Sequence, residues 1–107
     1  MRKVFYDVAR TGEIPAGTGK LVTIGDESNC VLYHTDDGGY FASGALCPHQ
    51  NEPLDCGHLE GCEVICRAHH LRFDLRNGDC TNAGGFWLRI LEVKVEEDRV
   101  LVGLWED

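Results

Sequence analysis

Two short clusters in the 107-residue chain combine groups that can hold a soft metal: Cys47-Pro48-His49 and Cys66-Arg67-Ala68-His69, with sixteen residues between them. Each supplies one sulfur and one imidazole nitrogen, so together they offer two thiolates and two borderline nitrogen donors. Glycines and turn formers fill the interval, as needed where a chain must bend two loops toward one point. Three chemistries compete for such a set. A structural zinc site accepts two cysteines and two histidines, but zinc loops usually open with a closely spaced cysteine pair and place the histidines separately. A catalytic Cys–His pair uses one residue of each kind and leaves the second pair unexplained. A two-iron cluster with both thiolates on one iron and both imidazoles on the other needs one Cys and one His from each of two facing loops. The spacing suits this third arrangement best.

The remaining cysteines and histidines fit less well. Cys56-Gly57-His58 repeats the first pattern, but only seven residues separate it from Cys66. Seven residues can hardly form two strands that return a second loop beside the first. Cys30, Cys56, Cys62 and Cys80 are therefore read as thiols without a ligand role, mostly buried as small hydrophobes. His34, His58 and His70 are read as strand or surface histidines. A redox-sensing dithiol would need Cys56, Cys62 or Cys80 as reactive thiolates, and none has a Cys-x-x-Cys neighbour.

The elements that must position these loops are strands. Residues 20–24 are β-rich, and residues 31–35 follow a polar break at 25–29. Asp36-Asp37-Gly38-Gly39 carries turn signals before residues 40–42, which predicts a hairpin. Residues 90–95 and 100–104 alternate and are joined by Glu96-Glu97-Asp98-Arg99, a second hairpin with an apolar face of Val93, Val95, Val100 and Val102. No eleven-residue window keeps a helical stripe, and Thr11-Gly12-Glu13-Ile14-Pro15 supplies one short turn at most. From about residue 43 to 80 the chain is rich in Gly, Cys and His, with apolar pieces such as Val64-Ile65 and Leu71-Arg72-Phe73. The pattern predicts a single all-β domain over residues 1–107, with a loop-built subdomain at about 43–80 inserted into it.

Charge narrows the partners. Ten Lys and Arg against 18 Asp and Glu give a net charge of −8, spread along the chain with no basic stripe. That excludes a nucleic-acid surface. An acidic chain repels its own copies, which predicts a monomer in isolation, and it is steered toward basic docking surfaces. The longest apolar run, residues 100–105, is far too short to span a bilayer. The first residues lack the apolar stretch of a secretory signal, which predicts a cytoplasmic protein. There six cysteines point to metal or redox chemistry rather than a disulfide framework.

Cys-x-His, sixteen residues, then Cys-x-x-His resembles the ligand pattern of the Rieske [2Fe–2S] family. Leu54, Gly57, Gly61, Val64, Phe73-Asp74 and Gly78 resemble it further, closely over about residues 43–80, and the β-rich flanks resemble the family's basal antiparallel β-sandwich. The resemblance implies one [2Fe–2S] cluster with Cys47, His49, Cys66 and His69 as ligands. Electrons would pass through the histidine-bound iron, and partners would dock over Pro48, His49, Gln50, His69 and His70. His70 stands where the family commonly has glycine. The respiratory-chain type carries an extra cysteine in each loop; the corresponding places here are Glu52 and Ala68, so that bridge cannot form. The places of the serine and tyrosine that donate to cluster sulfurs in high-potential members are Leu71 and Phe73. Without those donors the potential is expected at the low end of the Rieske range, roughly −150 mV.

Such a protein would be an electron carrier, not an enzyme by itself, working between an NADH-dependent flavoprotein reductase and a bacterial multicomponent oxygenase. Gln50 together with Arg67-Ala68 resembles the ferredoxins of diiron monooxygenases acting on aromatic rings or alkenes. The alternatives are the ferredoxin of a ring-hydroxylating dioxygenase, the small Rieske subunit of an assimilatory nitrite reductase and, from another class, a zinc-bound interaction domain. Many Rieske proteins place a proline-rich loop over the cluster after the second ligand loop, yet residues 80–87 contain no proline. Phe86 and Trp87 are read as core residues, with a cover over the cluster as the alternative.

Overall fold

Short β-branched and aromatic runs separated by Gly-, Asp- and Asn-containing turns favour antiparallel strands. The computed structural model, which describes residues 2–24, 28–48, 53–67 and 70–106, has ten of them and no α-helix among those residues. Strands β1 (Arg2–Arg10), β9 (Val93–Glu96) and β10 (Arg99–Glu106) form one sheet in the order β1-β10-β9. Strands β2 (Thr18–Ile24), β3 (Ser28–His34), β4 (Tyr40–Gly44) and β8 (Ile90–Leu91) form a second in that order. The third, β5 (His58–Glu60), β6 (Glu63–Ile65) and β7 (Arg72–Asp74), falls in the chain between β4 and β8. All the pairings are antiparallel, so the chain is all-β as expected.

The middle sheet is covered on both faces, and β3 shows why. Successive side chains on a strand point to opposite sides. Cys30 and Leu32 enter a core with Ala9, Ile14, Val22, Ile24, Val100 and Val102, between the first two sheets. Val31 and Tyr33 enter another with Cys47, Leu54, Val64, Cys66, Phe73 and Leu88. All four strand residues are at most 1% exposed. The Tyr33 hydroxyl is satisfied there by Ser43 Oγ at 2.9 Å, and Ser43 Oγ also donates to the Gly44 carbonyl at 2.9 Å.

The two expected hairpins form. Between β3 and β4, Gly38 takes φ 93° and the Thr35 N–H donates to the Gly39 carbonyl at 2.9 Å. Between β9 and β10, Glu97 adopts φ 57° in a two-residue turn. Other features depart from the sequence expectation. The charged amino-terminal run forms β1, held along β10 with a register shift between Asp7 and Ala9 that lets Ala9 enter the core. The predicted strand at 90–95 breaks at Glu92, its first part pairing with β4 and its second with β10. Val95 is 49% exposed rather than part of the apolar face, because β9 is the edge of its sheet and the core takes Val93, Val100 and Val102 instead.

Gly78 locks the third sheet to the segment that leads back to β8. The Leu88 N–H donates to the Gly78 carbonyl at 2.7 Å, and Gly78 itself has φ 86°. A Cβ there would stand 2.1 Å from the Leu88 carbonyl oxygen, so both the left-handed backbone and the close approach demand glycine. Gly78→Ala is expected to lower stability by about 2 kcal/mol or more. Denaturant unfolding of the two proteins side by side checks this.

Candidate metal centre

The two cysteine loops are built alike. The first is closed at its neck by an antiparallel bridge between Leu46 and Pro53, with the Leu54 N–H donating to the Ala45 carbonyl at 2.9 Å. The second is closed by the Ile65–Arg72 pair of the β6–β7 hairpin and by the Cys66 N–H donating to the Leu71 carbonyl at 2.9 Å. In each, the cysteine is the first residue inside the neck. Cys47 and Cys66 are buried, at 0% and 1% exposure, and both belong to the core that contains Val31, Tyr33, Leu54, Val64 and Phe73. Two paired-strand necks thus deliver one sulfur each to a shared apolar floor.

That donor chemistry fits an iron–sulfur cluster: soft thiolate donors, one per loop, in surroundings that exclude water from the sulfur side. Among the described residues no group of three His, Cys, Asp or Glu side chains gathers around a metal position. His49 and His69 lie outside the described residues, as do Gln50, Glu52 and Ala68.

The other expected site residues separate into floor and rim. Phe73 is fully buried under the loops and Leu71 is half-buried against the same core. Pro48, Arg67 and His70 are exposed. Arg67 and His70 line one cleft with Gly57, His58, Ile65 and Cys66. His70 adopts φ 57°, a left-handed conformation that explains why glycine suits this place. His58, set aside as a ligand, stands on β5 at the mouth of that cleft, 3.9 Å from a Glu60 oxygen. His34 is structural: its Nδ1 lies 2.7 Å from the Ile14 carbonyl and its ring stacks on Tyr40 with centroids 4.3 Å apart.

The remaining thiols divide. Cys30 is a core residue whose thiol burial pushes up to about 11. Cys62 and Cys80 are half-buried and carry no disulfide, so they are less enclosed than the sequence suggested. The Cys56 side chain lies outside the described residues. Trp87 corrects the expectation of a core aromatic: it is 69% exposed, while Phe86 packs against the second core. Both line a groove with Leu46 and Pro48, the neighbours of Cys47. The exposure of Trp87 could not be read from a Gly-Gly-Phe-Trp stretch that carries no strand pattern.

A profile of the Rieske [2Fe–2S] domain matches residues 4–85. The chain belongs to the Rieske family. Its cofactor is accordingly one Rieske-type [2Fe–2S] cluster. The Rieske chain is 31% identical over 100 residues to the ferredoxin component of an alkene monooxygenase system from Xanthobacter autotrophicus, covering 92% of this chain and 80% of that one. It is also 31% identical over 105 residues to the ferredoxin component of a naphthalene 1,2-dioxygenase system from Pseudomonas aeruginosa, covering 97% and 99%. Its fold superposes with a TM-score of 0.91, at 20% identity over the full length of both chains, on a provisionally named NADH-dependent nitrite reductase small subunit from Mycobacterium tuberculosis.

Beneath the second loop of this Rieske chain, Asp74 anchors the turn after β7. Its carboxylate accepts from Arg76 Nη2 at 2.8 Å, Arg76 Nε at 3.0 Å and the Arg76 N–H at 2.9 Å. The Arg76 guanidinium holds this carboxyl below the usual carboxylate range. A group whose folded pKa is depressed adds stability above its unfolded pKa, about 3.9, and loses it as the pH falls through the folded value. Asp74→Asn is therefore expected to be less stable at neutral pH and to show a flatter acid limb below about pH 4. Melting temperature measured against pH checks both signs.

Proposed function

We propose that the chain is an electron carrier in which Cys47 and Cys66 ligate one iron of the cluster and His49 and His69 the other. The observation that carries this is the pairing of the loops: two necks of antiparallel backbone, each with a buried cysteine just inside, over one apolar floor. The resemblance supplies the histidines, which follow the cysteines by two and three residues. When bound, the cluster supplies a one-electron couple. The chain's own part is to hold the sulfurs dry, to fix the loop geometry and to set the local charge. As an electron carrier it makes and breaks no substrate bonds by itself.

The electron's source is proposed to be an NADH-dependent flavoprotein reductase and its destination the oxygenase of a bacterial multicomponent system. A diiron aromatic or alkene monooxygenase is favoured by Gln50 and Arg67-Ala68 and by the likeness to an alkene monooxygenase ferredoxin. The likeness to a naphthalene dioxygenase ferredoxin at the same identity supports a second reading, delivery to a ring-hydroxylating dioxygenase. For either destination the proposed docking residues are those the resemblance implies, Pro48, His49, Gln50, His69 and His70, and of these Pro48 and His70 are exposed among the described residues. The whole chain, residues 1–107, is proposed to act as one monomeric, cytoplasmic domain, with its net charge of −8 steering it toward basic docking surfaces.

Leu71 and Phe73 carry no hydroxyl, and the Tyr33 hydroxyl in the same core is engaged by Ser43. Hydrogen bonds to cluster sulfur favour the reduced, more negative form, so the potential should sit near the low end, about −150 mV. Voltammetry of the purified holoprotein tests this, and a value above about +100 mV would sink it. The ligand assignment is tested by absorption and by EPR after dithionite reduction. A red-brown protein with a rhombic signal of low average g is expected, lost or converted in His49→Ala, His69→Ala, Cys47→Ala and Cys66→Ala but kept in His58→Ala. A colourless protein with one zinc would replace this reading with an interaction domain. Reconstitution with a monooxygenase and with a dioxygenase, each with its reductase, then separates the two destinations.

A further inference from the structure

The second cysteine loop is closed from within by two backbone bonds, Cys66 N–H to the Leu71 carbonyl at 2.9 Å and His70 N–H to the Cys66 carbonyl at 3.0 Å. Its last turn passes through His70 at φ 57°. A left-handed backbone is costly for a residue with a Cβ and persists only where neighbours hold it. The outer hold comes from one side chain. Asn82 Nδ2 donates to the His70 carbonyl at 2.9 Å, and Asn82 Oδ1 accepts from the Arg72 N–H at 3.0 Å, so the amide spans the loop exit on either side of Leu71.

Asn82 is itself placed by backbone. Cys80 bridges Phe73, and the Thr81 N–H donates to the Arg72 carbonyl at 2.8 Å, so residues 80–82 run alongside β7. The Cys80 thiol lies 3.5 Å from the same Asn82 Oδ1. Asn has both a donor and an acceptor on one rigid plane, which is what a carbonyl and an amide flanking one residue require. Ala at this place would meet neither, and Asp would meet only the acceptor side.

We propose that Asn82 is a positioning residue for the cluster: its amide clamps His70 and Arg72 and so fixes the left-handed turn that immediately follows His69. The proposal rests on Cys66 and His69 being ligands. Asn82 acts through that turn, setting the angle at which the loop presents its histidine. Because the side chain is exposed, its removal leaves both cores intact.

The test is Asn82→Ala in the cluster-loaded protein. The rhombic EPR lines of the reduced state are expected to shift and broaden, and the cluster to bleach in the presence of a chelator about tenfold faster, as befits the loss of two hydrogen bonds. Adding His70→Gly should sharpen the lines again, since glycine takes the left-handed turn without the clamp. Asn77→Ala is the control, because Asn77 Oδ1 makes a similar bond to the Asp79 N–H at 2.9 Å in the turn beyond β7. Lines and bleaching unchanged in Asn82→Ala, or altered as much in Asn77→Ala, would overturn the clamp alone. A wild-type protein without the Rieske signal would instead overturn the ligand assignment, and the clamp with it.

Discussion

Burial of β3 on both faces is the constraint on which the other elements depend. Four consecutive residues, Cys30 to Tyr33, are shut off from water, two in each core. An antiparallel strand with one wet face would alternate apolar and polar side chains. This one cannot, and its continuous apolar run needs a layer on either side. The sheet of β1, β9 and β10 supplies one layer, and the loop-bearing third sheet supplies the other. The cysteine loops are thus seated on the same strand that holds the base together. A cavity cut at Val31 or Tyr33 would be felt beneath Cys47 and Cys66.

That shared floor makes the paired necks effective. A loop is entropically expensive to order, and a short backbone bridge at its base removes most of that freedom before any metal is bound. Leu46–Pro53 does this for one loop and Ile65–Arg72 for the other. The sulfur donors then project into apolar packing, while Pro48, Arg67 and His70 stand in solvent. Such a division suits a group that must be held dry on one side and be reachable on the other.

Much of this was legible in the sequence, for reasons that differ by residue. The loops announced themselves because Cys and His at fixed spacing have few structural uses together; Gly78 entered only through the family resemblance, and the Leu88 carbonyl that demands glycine there is seen only in the fold. The hairpin at residues 36–39 was legible in its turn chemistry. What escaped depended on distant partners. The run Arg2–Arg10 reads as charged, and only its pairing along β10 makes it a strand. Trp87 reads as core until the segment that carries it is seen to run over the surface. Asn82 reads as an ordinary turn residue in a Gly-rich stretch, because its role exists only once His70 and Arg72 are folded to either side of it. The histidines of the expected ligand set lie outside the described residues, so their place rests on the sequence pattern.

The break at Glu92 has a topological consequence. Within one residue the chain leaves the edge of the middle sheet and joins the edge of the other, and the Glu92 carbonyl takes the Gly103 N–H at 2.8 Å as it turns. The two edges so joined, β8 with two residues and β9 with four, are too short to template a strand from another chain. The corner therefore ties the two sheets together along their short edges and leaves the longer strands β1 and β2 as the edges on the opposite side.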